Sequence, residues 1–475
     1  MTIAEINQLS IEERIKAYKS RKTTLPDRDK LLADWDVDKH DVMDTEKRKK
    51  RKITTQQEER DPVTSEITKP AQTEEEDVNR IAIPLEQDIV NIQTAFTVGN
   101  LPKMTLESED EKEKKLFGII KRVLRQNKIK YINKRVMRSW LAEQEVAEYW
   151  YTVEDANWWQ KILQKITGVA PKNKLKVALW SPFRGDSLYP LFDEYGDMIA
   201  FSREYKGTDA EGEDVTKFMV IDDTNVTTYV DDEIESTFKH GFDKIPVMYI
   251  YRDKPYCHKI RTIRNRIEVL MSNFADCLDY NFFPKLTAKG VVENVINRGT
   301  GSEIIQLENG AEIAYLTWQQ SPEMAKMELE SLTEKAYAMT NTPRVSVDYI
   351  KGAGSPVSGK AFKYVFMGAH MQVSNHAEDL EEYLQRRVNF LTSAIGTIYT
   401  DMKSASETID IDVEIVPFTI DNKSEAIKDA VDAYKGGVAS RRQGIILAGI
   451  TDATDDELRE IEGSDKEETK EPKTE

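Results

Sequence analysis

The sequence predicts an α+β protein, because helical and strand-rich patterns occupy separate parts of the chain. Over residues 110–166, apolar residues recur at the three-and-four spacing of a helix, for example at Leu116 and Ile120. Residues 175–251 instead contain short runs of β-branched and aromatic residues, separated by turn clusters. Residues 358–402 are helical over a longer stretch than a typical globular helix. This segregation is typical of α+β proteins.

Composition limits the kinds of protein that this chain can be. It has 475 residues, of which 39% are hydrophobic and 32% are charged, so more than one substructure is expected. Its net charge of −17 is opposite in sign to that of proteins that grip DNA by neutralising phosphates. Ordinary solubility explains the acidity equally well, and an acidic chain can also surround DNA that must slide without sticking.

Both ends of the chain are predicted to be flexible. Residues 1–80 are polar and charge-dense, and they include six consecutive basic residues from Lys47 to Lys52. Such a run can bind nucleic acid, or it can belong to a solvated arm whose charge is balanced by the acidic residues 74–77. Residues 463–475 have the composition of a disordered tail.

No residue pattern points to catalysis or to a cofactor. Cys257 and Cys277 are the only cysteines, and no signal peptide or membrane-spanning run is visible, which favours a reducing cytoplasm. The five histidines show no ligand-like pairing with the cysteines, so no metal site is predicted. Without a nucleophile–base pair or a paired-carboxylate signature, the chain is not predicted to be an enzyme.

The loop after residue 343 resembles a phosphate-binding loop at first sight. Gly354, Gly359 and Lys360 have the glycine-x4-glycine-lysine spacing of that motif. Ala361, however, stands where the Mg²⁺-binding hydroxyl is needed, and Pro356 removes one backbone N–H from the loop. An ATP-driven DNA translocase is therefore a poor interpretation.

Two amphipathic helices precede this loop and are predicted to pack on each other. The first, over residues 259–282, presents one apolar stripe that includes Ile263, Ile267 and Phe274. The second follows Ser321, and Leu329 and Leu332 belong to its apolar seam. Basic residues crowd the first turns of the first helix, where they oppose the helix dipole, so an acidic neighbour or a polyanion is expected beside them.

Two segments carry a resemblance to a known family. One combines a Thr-x-x-Pro helix ending, a glycine-rich loop and a Ser-Gly-x-Ala-x-Lys-Tyr run. Its matching residues are Thr340, Pro343, Ser358, Gly359, Ala361, Lys363 and Tyr364. The other is Asp88–Pro102, a helix followed by a Gly-x-x-Pro turn. Asp88–Pro102 comes first in the chain and the Thr340–Tyr364 segment follows it. Together, in that order, they resemble the portal proteins of tailed bacteriophages, of the siphovirus type, and the resemblance covers about residues 81–461.

The resemblance implies a portal-type subunit with a helical and β wing, a two-helix stem, a small α/β clip, a long wing helix and a C-terminal helical crown. The implied divisions are a flexible charged arm 1–80, a wing 81–256 (helical lobe 81–170, mainly antiparallel β region 171–256), stem helix 257–283, clip 284–320, stem helix 321–342, channel loop 343–358, long wing helix and strand 359–420, crown 421–462 and tail 463–475.

The resemblance also implies a function. A portal protein forms a homo-oligomeric ring, usually a dodecamer, at one capsid vertex of the virion, after assembly in the host cytoplasm. Double-stranded DNA passes through it, without base readout, during genome packaging and ejection. Implied partners are the terminase large subunit, a head–tail connector or adaptor protein, and the major capsid and scaffolding proteins, with no membrane. The alternative is a non-viral acidic scaffold or adaptor protein with no DNA role.

Particular residues follow from these expectations, and they fall into three groups. The predicted DNA-channel residues are Arg344, Asp348, Lys351, Lys326, Glu330 and Glu334. The predicted loop hinges are Gly352, Gly354 and Gly359. The predicted stem and subunit packing residues are Ile263, Ile267, Phe274, Leu329 and Leu332.

Overall fold

The computed structural model describes residues 3–21, 23–56, 59–60, 67–70, 72–154, 173–209, 212–281, 285–289, 312–316, 322–344, 366–418 and 423–449. The helices are Ile3–Ile6 (α1), Ile11–Lys19 (α2), Arg28–Trp35 (α3), Leu85–Val98 (α4), Glu111–Gln126 (α5), Ile129–Glu143 (α6), Arg261–Asn281 (α7), Pro322–Met339 (α8), Met367–Ile398 (α9), Lys403–Thr408 (α10), Lys423–Lys435 (α11) and Arg441–Ala448 (α12).

The strands are Arg51–Gln56 (β1), Glu59–Arg60 (β2), Ile67–Lys69 (β3), Gln72–Glu76 (β4), Lys103–Leu106 (β5), Glu145–Glu154 (β6), Asn173–Trp180 (β7), Ser187–Phe192 (β8), Met198–Thr208 (β9), Asp214–Ile221 (β10), Asn225–Val230 (β11), Glu233–Lys239 (β12), Val247–Tyr251 (β13), Lys285–Lys289 (β14), Glu312–Leu316 (β15) and Ile411–Glu414 (β16).

Two antiparallel sheets form the centre of the β region. One is a five-stranded meander in the order β12-β11-β10-β9-β8, and the other has the order β13-β6-β7. The prediction of antiparallel strands in this part of the chain is confirmed. An apolar cluster joins the two sheets, with Trp180 stacked on Tyr149 at a centroid distance of 4.7 Å and Phe201 packed beside it.

Strand β6 corrects the sequence prediction, which extended the helical lobe to residue 170. Helix α6 ends at Glu143, and Gln144 turns the chain with a positive φ of 72°. The next residues form a strand that includes three consecutive aromatic side chains, 149–151, and this strand pairs with β7 on one side and with β13 on the other. Residues 145–148 are all buried, so both faces of this part of the strand are covered. Trp140 and Trp150 are buried in the core, as predicted, whereas Trp158 and Trp159 lie outside the described residues.

The largest core surrounds helix α9. Its apolar side chains, including Leu391 and Ile395, pack with residues of α4, α5, α6 and β13. The chain returns to this body through β16, which pairs with β5 and so joins segments about 300 residues apart in sequence. The confirmed elements include the long helix, the following strand and two short helices, α11 and α12. The third helix predicted over residues 452–461 lies outside the described residues.

The structure differs from the flexible arm predicted over residues 1–80. Ile6 and Tyr18 are buried against the five-stranded sheet, beside Phe218 and Val220. Arg21 forms an ion pair with Glu145 at 2.8 Å, and both side chains are almost fully buried. The apolar periodicity of these short helices is too brief to indicate docking, and the ion pair that fixes them joins residues far apart in sequence.

The basic run at residues 47–52 is balanced by acidic side chains of the same chain. Lys50 pairs with Asp77 at 3.0 Å, and Arg48 pairs with Asp276 at 2.6 Å. In the β1–β4 pair, Arg51 lies opposite Glu76 and Lys52 lies opposite Glu75. This arrangement differs from the free arm expected for this run, because the neighbouring acidic residues already neutralise it.

The remaining described segments contain two more short sheets, one of which pairs β2 with β3. Strands β14 and β15 pair between α7 and α8, while the hairpin turn predicted at residues 308–311 lies outside the described residues. None of the described helices is both long and apolar enough to cross a membrane. In the described part of the chain, no cluster of His, Cys, Asp and Glu side chains is arranged to hold a metal ion.

Gly396 permits the close approach of α10 to α9. A Cβ atom at this position would lie 2.1 Å from Oγ and 2.7 Å from Cβ of Ser406, distances at which one helix must shift. We therefore expect Gly396→Ala to destabilise the protein by about 1–3 kcal/mol, as overpacking usually does. Thermal unfolding should show a lower Tm for this variant.

The matched control is Gly118→Ala, in the interior of α5, where an added Cβ meets nothing within 4 Å. This substitution should stabilise the protein by up to about 1 kcal/mol through helix propensity. Equal effects of the two substitutions would contradict the packing argument.

Candidate functional site: the α7 and α8 helix pair

An extended segment, residues 79–83, binds along α7 through alternate backbone N–H groups. Asn79 N–H donates to Asp276 Oδ1 at 2.7 Å, and Ile81 N–H donates to Ser272 Oγ at 2.9 Å. Ile83 N–H donates to Glu268 Oε1 at 3.0 Å. Two residues of extended chain advance roughly 7 Å, whereas four helical residues advance about 6 Å, so the two periods match over this length.

Arg264 continues the same polar stripe one turn toward the start of α7. Its side chain is 1% exposed, and Nη1 lies 2.9 Å from Glu86 Oε1 while Nη2 lies 3.2 Å from Asp34 Oδ1. His40 Nδ1 lies 2.6 Å from Glu268 Oε1, so residues 34–40 are held to the helix by the same network. Burial raises the pKa of Glu86 to about 7, although the Arg264 guanidinium acts in the opposite direction.

The acidic neighbour expected beside the basic first turns of α7 is therefore present. Arg261 and Arg264 both contact Asp34, and Arg266 forms an ion pair with Glu328 of α8 at 2.8 Å. The polar stripe of α7 was not predicted from the sequence, although the sequence contains a pattern that indicates it. Polar residues recur every four positions along α7, at residues 264, 268, 272 and 276, directly beside the apolar stripe.

The predicted packing residues lie between α7, α8 and the main core. Ile267 is buried, and Ile263, Leu329 and Leu332 are half-buried against the same apolar cluster. Phe274 is also half-buried, nearer the far end of α7. The structure thus brings four of the five residues to one cluster within a single subunit.

The end of α8 is anchored by residues of the Thr-x-x-Pro motif. Thr340 is fully buried, and its hydroxyl donates to Ala336 O at 2.9 Å. Gln93 of α4 donates to Thr342 Oγ1 at 2.8 Å, and the Tyr256 hydroxyl donates to Thr340 O. Asn341 has a positive φ of 46°, which ends the helix. The motif therefore fixes the direction in which the chain leaves α8.

The predicted channel residues on α8 share an exposed face. Lys326, Glu330 and Glu334 are exposed, and Lys326 Nζ lies 3.9 Å from Glu330 Oε1. Arg344 is exposed after the helix has ended. The other predicted loop residues lie outside the described residues, namely Asp348, Lys351, Gly352, Gly354 and Gly359.

Apolar side chains are exposed where α7 ends and α8 begins. Met324 and Met327 on α8 are each 66% exposed, and Leu278 and Tyr280 on α7 are 47% and 62% exposed. Exposed apolar side chains of this size are found at protein–protein contact sites when they form a contiguous surface.

A family model described as "Phage portal protein, SPP1 Gp6-like" matches residues 17–471 of this chain. The chain belongs to this family of phage portal proteins. The family resemblance of the two sequence motifs is confirmed, and the protein has a portal role. Portal proteins are a family of structural proteins.

Solved structures with some similarity come from gene transfer agent (GTA) particles. A chain from "Neck of empty GTA particle computed with C6 symmetry" has 10% identity and a TM-score of 0.41, and the match covers 78% of this chain and 90% of that chain. A chain from "Virion of native gene transfer agent (GTA) particle" has 10% identity and a TM-score of 0.37, with coverage of 77% and 89%. A chain from "Neck of native GTA particle computed with C12 symmetry" has 11% identity and a TM-score of 0.40, with coverage of 78% and 90%. These values are too low to support a conclusion about this portal protein. No curated protein matches the chain.

Ser272→Ala tests the contact between residues 79–83 and α7. The substitution removes the acceptor for the Ile81 N–H and leaves that donor unsatisfied beside a buried helix face. We expect a loss of about 1–3 kcal/mol in the free energy of unfolding, measured by urea denaturation.

Ser331→Ala, at an exposed serine of α8, is the matched control and should change the free energy of unfolding little. If both variants unfold at the same urea concentration as the unmodified protein, the hydrogen bond contributes nothing to stability.

Proposed function

We propose that this portal protein assembles into a ring around a channel for double-stranded DNA at one capsid vertex. The observation that carries the proposal is the family match over residues 17–471. The ring would serve as conduit for DNA packaging and ejection and as docking site for the terminase large subunit and the head–tail adaptor. A twelve-subunit ring, contacts with the major capsid and scaffolding proteins, and assembly in the host cytoplasm belong to the same proposal.

The exposed apolar ends of α7 and α8 support the ring. Met324, Met327 and Leu278 would be covered by neighbouring subunits, while the anchored halves of both helices hold the geometry within each subunit. A non-viral scaffold protein, the alternative from composition, is opposed by the family match. It would also leave this apolar surface without a role.

The charged face of α8 supports passage of DNA without tight binding. Lys326, Glu330 and Glu334 place both signs of charge on one exposed face, and Lys326 is already close to Glu330. Tight electrostatic binding of DNA needs several unneutralised cations, because each phosphate contact releases counterions. The carboxylates on this face of α8 would repel the DNA phosphates, while the lysine would limit the repulsion. DNA would therefore not be held at one place in the channel.

Substitution of the two exposed methionines tests the ring. Met324→Glu/Met327→Glu should leave the fold intact, since both side chains are exposed within one subunit. Between subunits the new carboxylates would be buried without partners, at a cost of several kcal/mol. Mass measurement by light scattering should show a shift from rings to smaller species.

Tyr195→Glu is the control, because Tyr195 is 92% exposed in the turn between β8 and β9, away from both helices. Rings of unchanged mass in the double methionine variant would remove the proposed contact. An unmodified protein that stays monomeric under all conditions would contradict the ring itself.

Deletion of Gly352–Pro356 tests the channel loop, which lies outside the described residues. We expect intact rings on electron micrographs but less DNA packaged per capsid, because a shortened loop cannot follow the DNA surface. Replacing the same five residues with alternating Ala and Ser keeps the length and separates the role of length from that of glycine flexibility. Normal packaging in the deletion variant would exclude a channel role for the loop.

A further inference from the structure

A cavity of about 630 Å³ lies in the main body, and none of its described lining residues belongs to α7 or α8. Its walls are apolar and come from β5, β16, the α5–α6 corner and α9, with Leu101, Met104 and Val388 among them. A recess of this volume is within the range of pockets that bind ligands or peptide side chains. Nothing in the proposed passage of DNA uses it.

Four cationic side chains surround this cavity, and none of the described residues that line it carries a carboxylate. Lys121, Arg125, Lys128 and Lys130 are all exposed, and in the described part of the chain none of them has an ion-pair partner. Arg387, at the cavity floor, is different, because its Nε donates to Glu148 at 2.9 Å and its Nη1 donates to Asn133 at 2.8 Å. A chain with net charge −17 thus concentrates unneutralised positive charge around one apolar recess.

The backbone at the rim supports a functional role for this charge. Lys128 has φ 53° and ψ 46°, the left-handed conformation that side chains with a Cβ rarely adopt. The turn is held by Asn127, whose side-chain N–H group donates to Leu175 O at 2.9 Å. Glycine would adopt this conformation at a lower cost, and the lysine at this position adds a cation to the rim of the cavity.

The cavity selects one kind of ligand by its chemistry. Apolar walls require apolar side chains, and a rim of unpaired cations requires several carboxylates close to them. A DNA duplex meets only the second requirement, because a stiff polar rod cannot enter an apolar recess. An acidic amphipathic peptide meets both.

We propose that this cavity binds the acidic segment 451–475 of the same chain, contributed by the same or a neighbouring copy. That segment lies outside the described residues and has eleven acidic and four basic residues. Within it, Leu458 and Ile461 are three positions apart and are flanked by carboxylates from Asp455 to Glu462. The apolar pair would fill the recess while the carboxylates meet the four cations, so occupancy would cover the positive surface of an otherwise acidic protein.

Carbodiimide cross-linking of the full-length protein, followed by mass spectrometry, tests the proposal. Cross-links should join Lys121 and Lys130 to carboxylates of residues 452–462. Arg125→Glu/Lys128→Glu should reduce them by about tenfold or more, because two of the four cations are reversed. Arg122→Glu/Arg135→Glu, which makes the same change of charge on exposed residues of the same two helices outside the cavity, should retain them.

Further arms separate the apolar contact from simple charge attraction. Leu458→Ser/Ile461→Ser should weaken the cross-links although every charge remains. Excess synthetic peptide of residues 452–464 should displace them, whereas a DNA duplex of about 20 base pairs should not. The proposal is overturned by an absence of these cross-links in the unmodified protein, by equal loss in both charge variants, by no effect of the serine substitutions, or by displacement with DNA alone.

Discussion

The structure depends on one periodic match between an extended segment and a helix. Residues 79, 81 and 83 turn their backbone N–H groups to one side, and α7 presents acceptors every four residues on the facing side. The buried Arg264 and His40 extend this contact to the segment around Asp34. Since α8 packs on the neighbouring stripe of α7, these hydrogen bonds help to set the position of the helix pair, together with its apolar contacts to the main core.

Charge in this protein is arranged by compensation at short range. The basic run at residues 47–52 faces acidic side chains of β4 and α7, and the basic start of α7 faces Asp34 and Glu86. Because these charges are neutralised within the subunit, they contribute little attraction at a distance. The uncompensated cations around Lys128 are conspicuous for that reason.

Sequence periodicity predicted the elements whose apolar pattern is long, such as α9, α7 and the antiparallel strands. It failed at β6, because an aromatic-rich strand covered on both faces lacks the alternation that distinguishes a strand from a helix. It also failed for residues 3–50, whose docking depends on pairs such as Arg21 with Glu145. At the helix pair, the basic first turns of α7 predicted an acidic neighbour or a polyanion, but the identity of Asp34 and Glu86 as the neighbours depends on tertiary structure.

The docking of residues 3–50 has a consequence for the order of events during synthesis. Arg21 can form its ion pair only after Glu145, 124 positions later, has been synthesised. His40 likewise requires Glu268, 228 positions later. Contacts that close such long loops form late during folding. The chain loses conformational entropy when the loop closes, before the new contacts stabilise it. The first part of the chain to leave the ribosome is thus among the last to reach its native place. Until then, the groups of α7 that contact residues 34–48, such as Glu268 and Asp276, lack these partners. A nascent subunit therefore differs from a finished one in the exposed surface of α7.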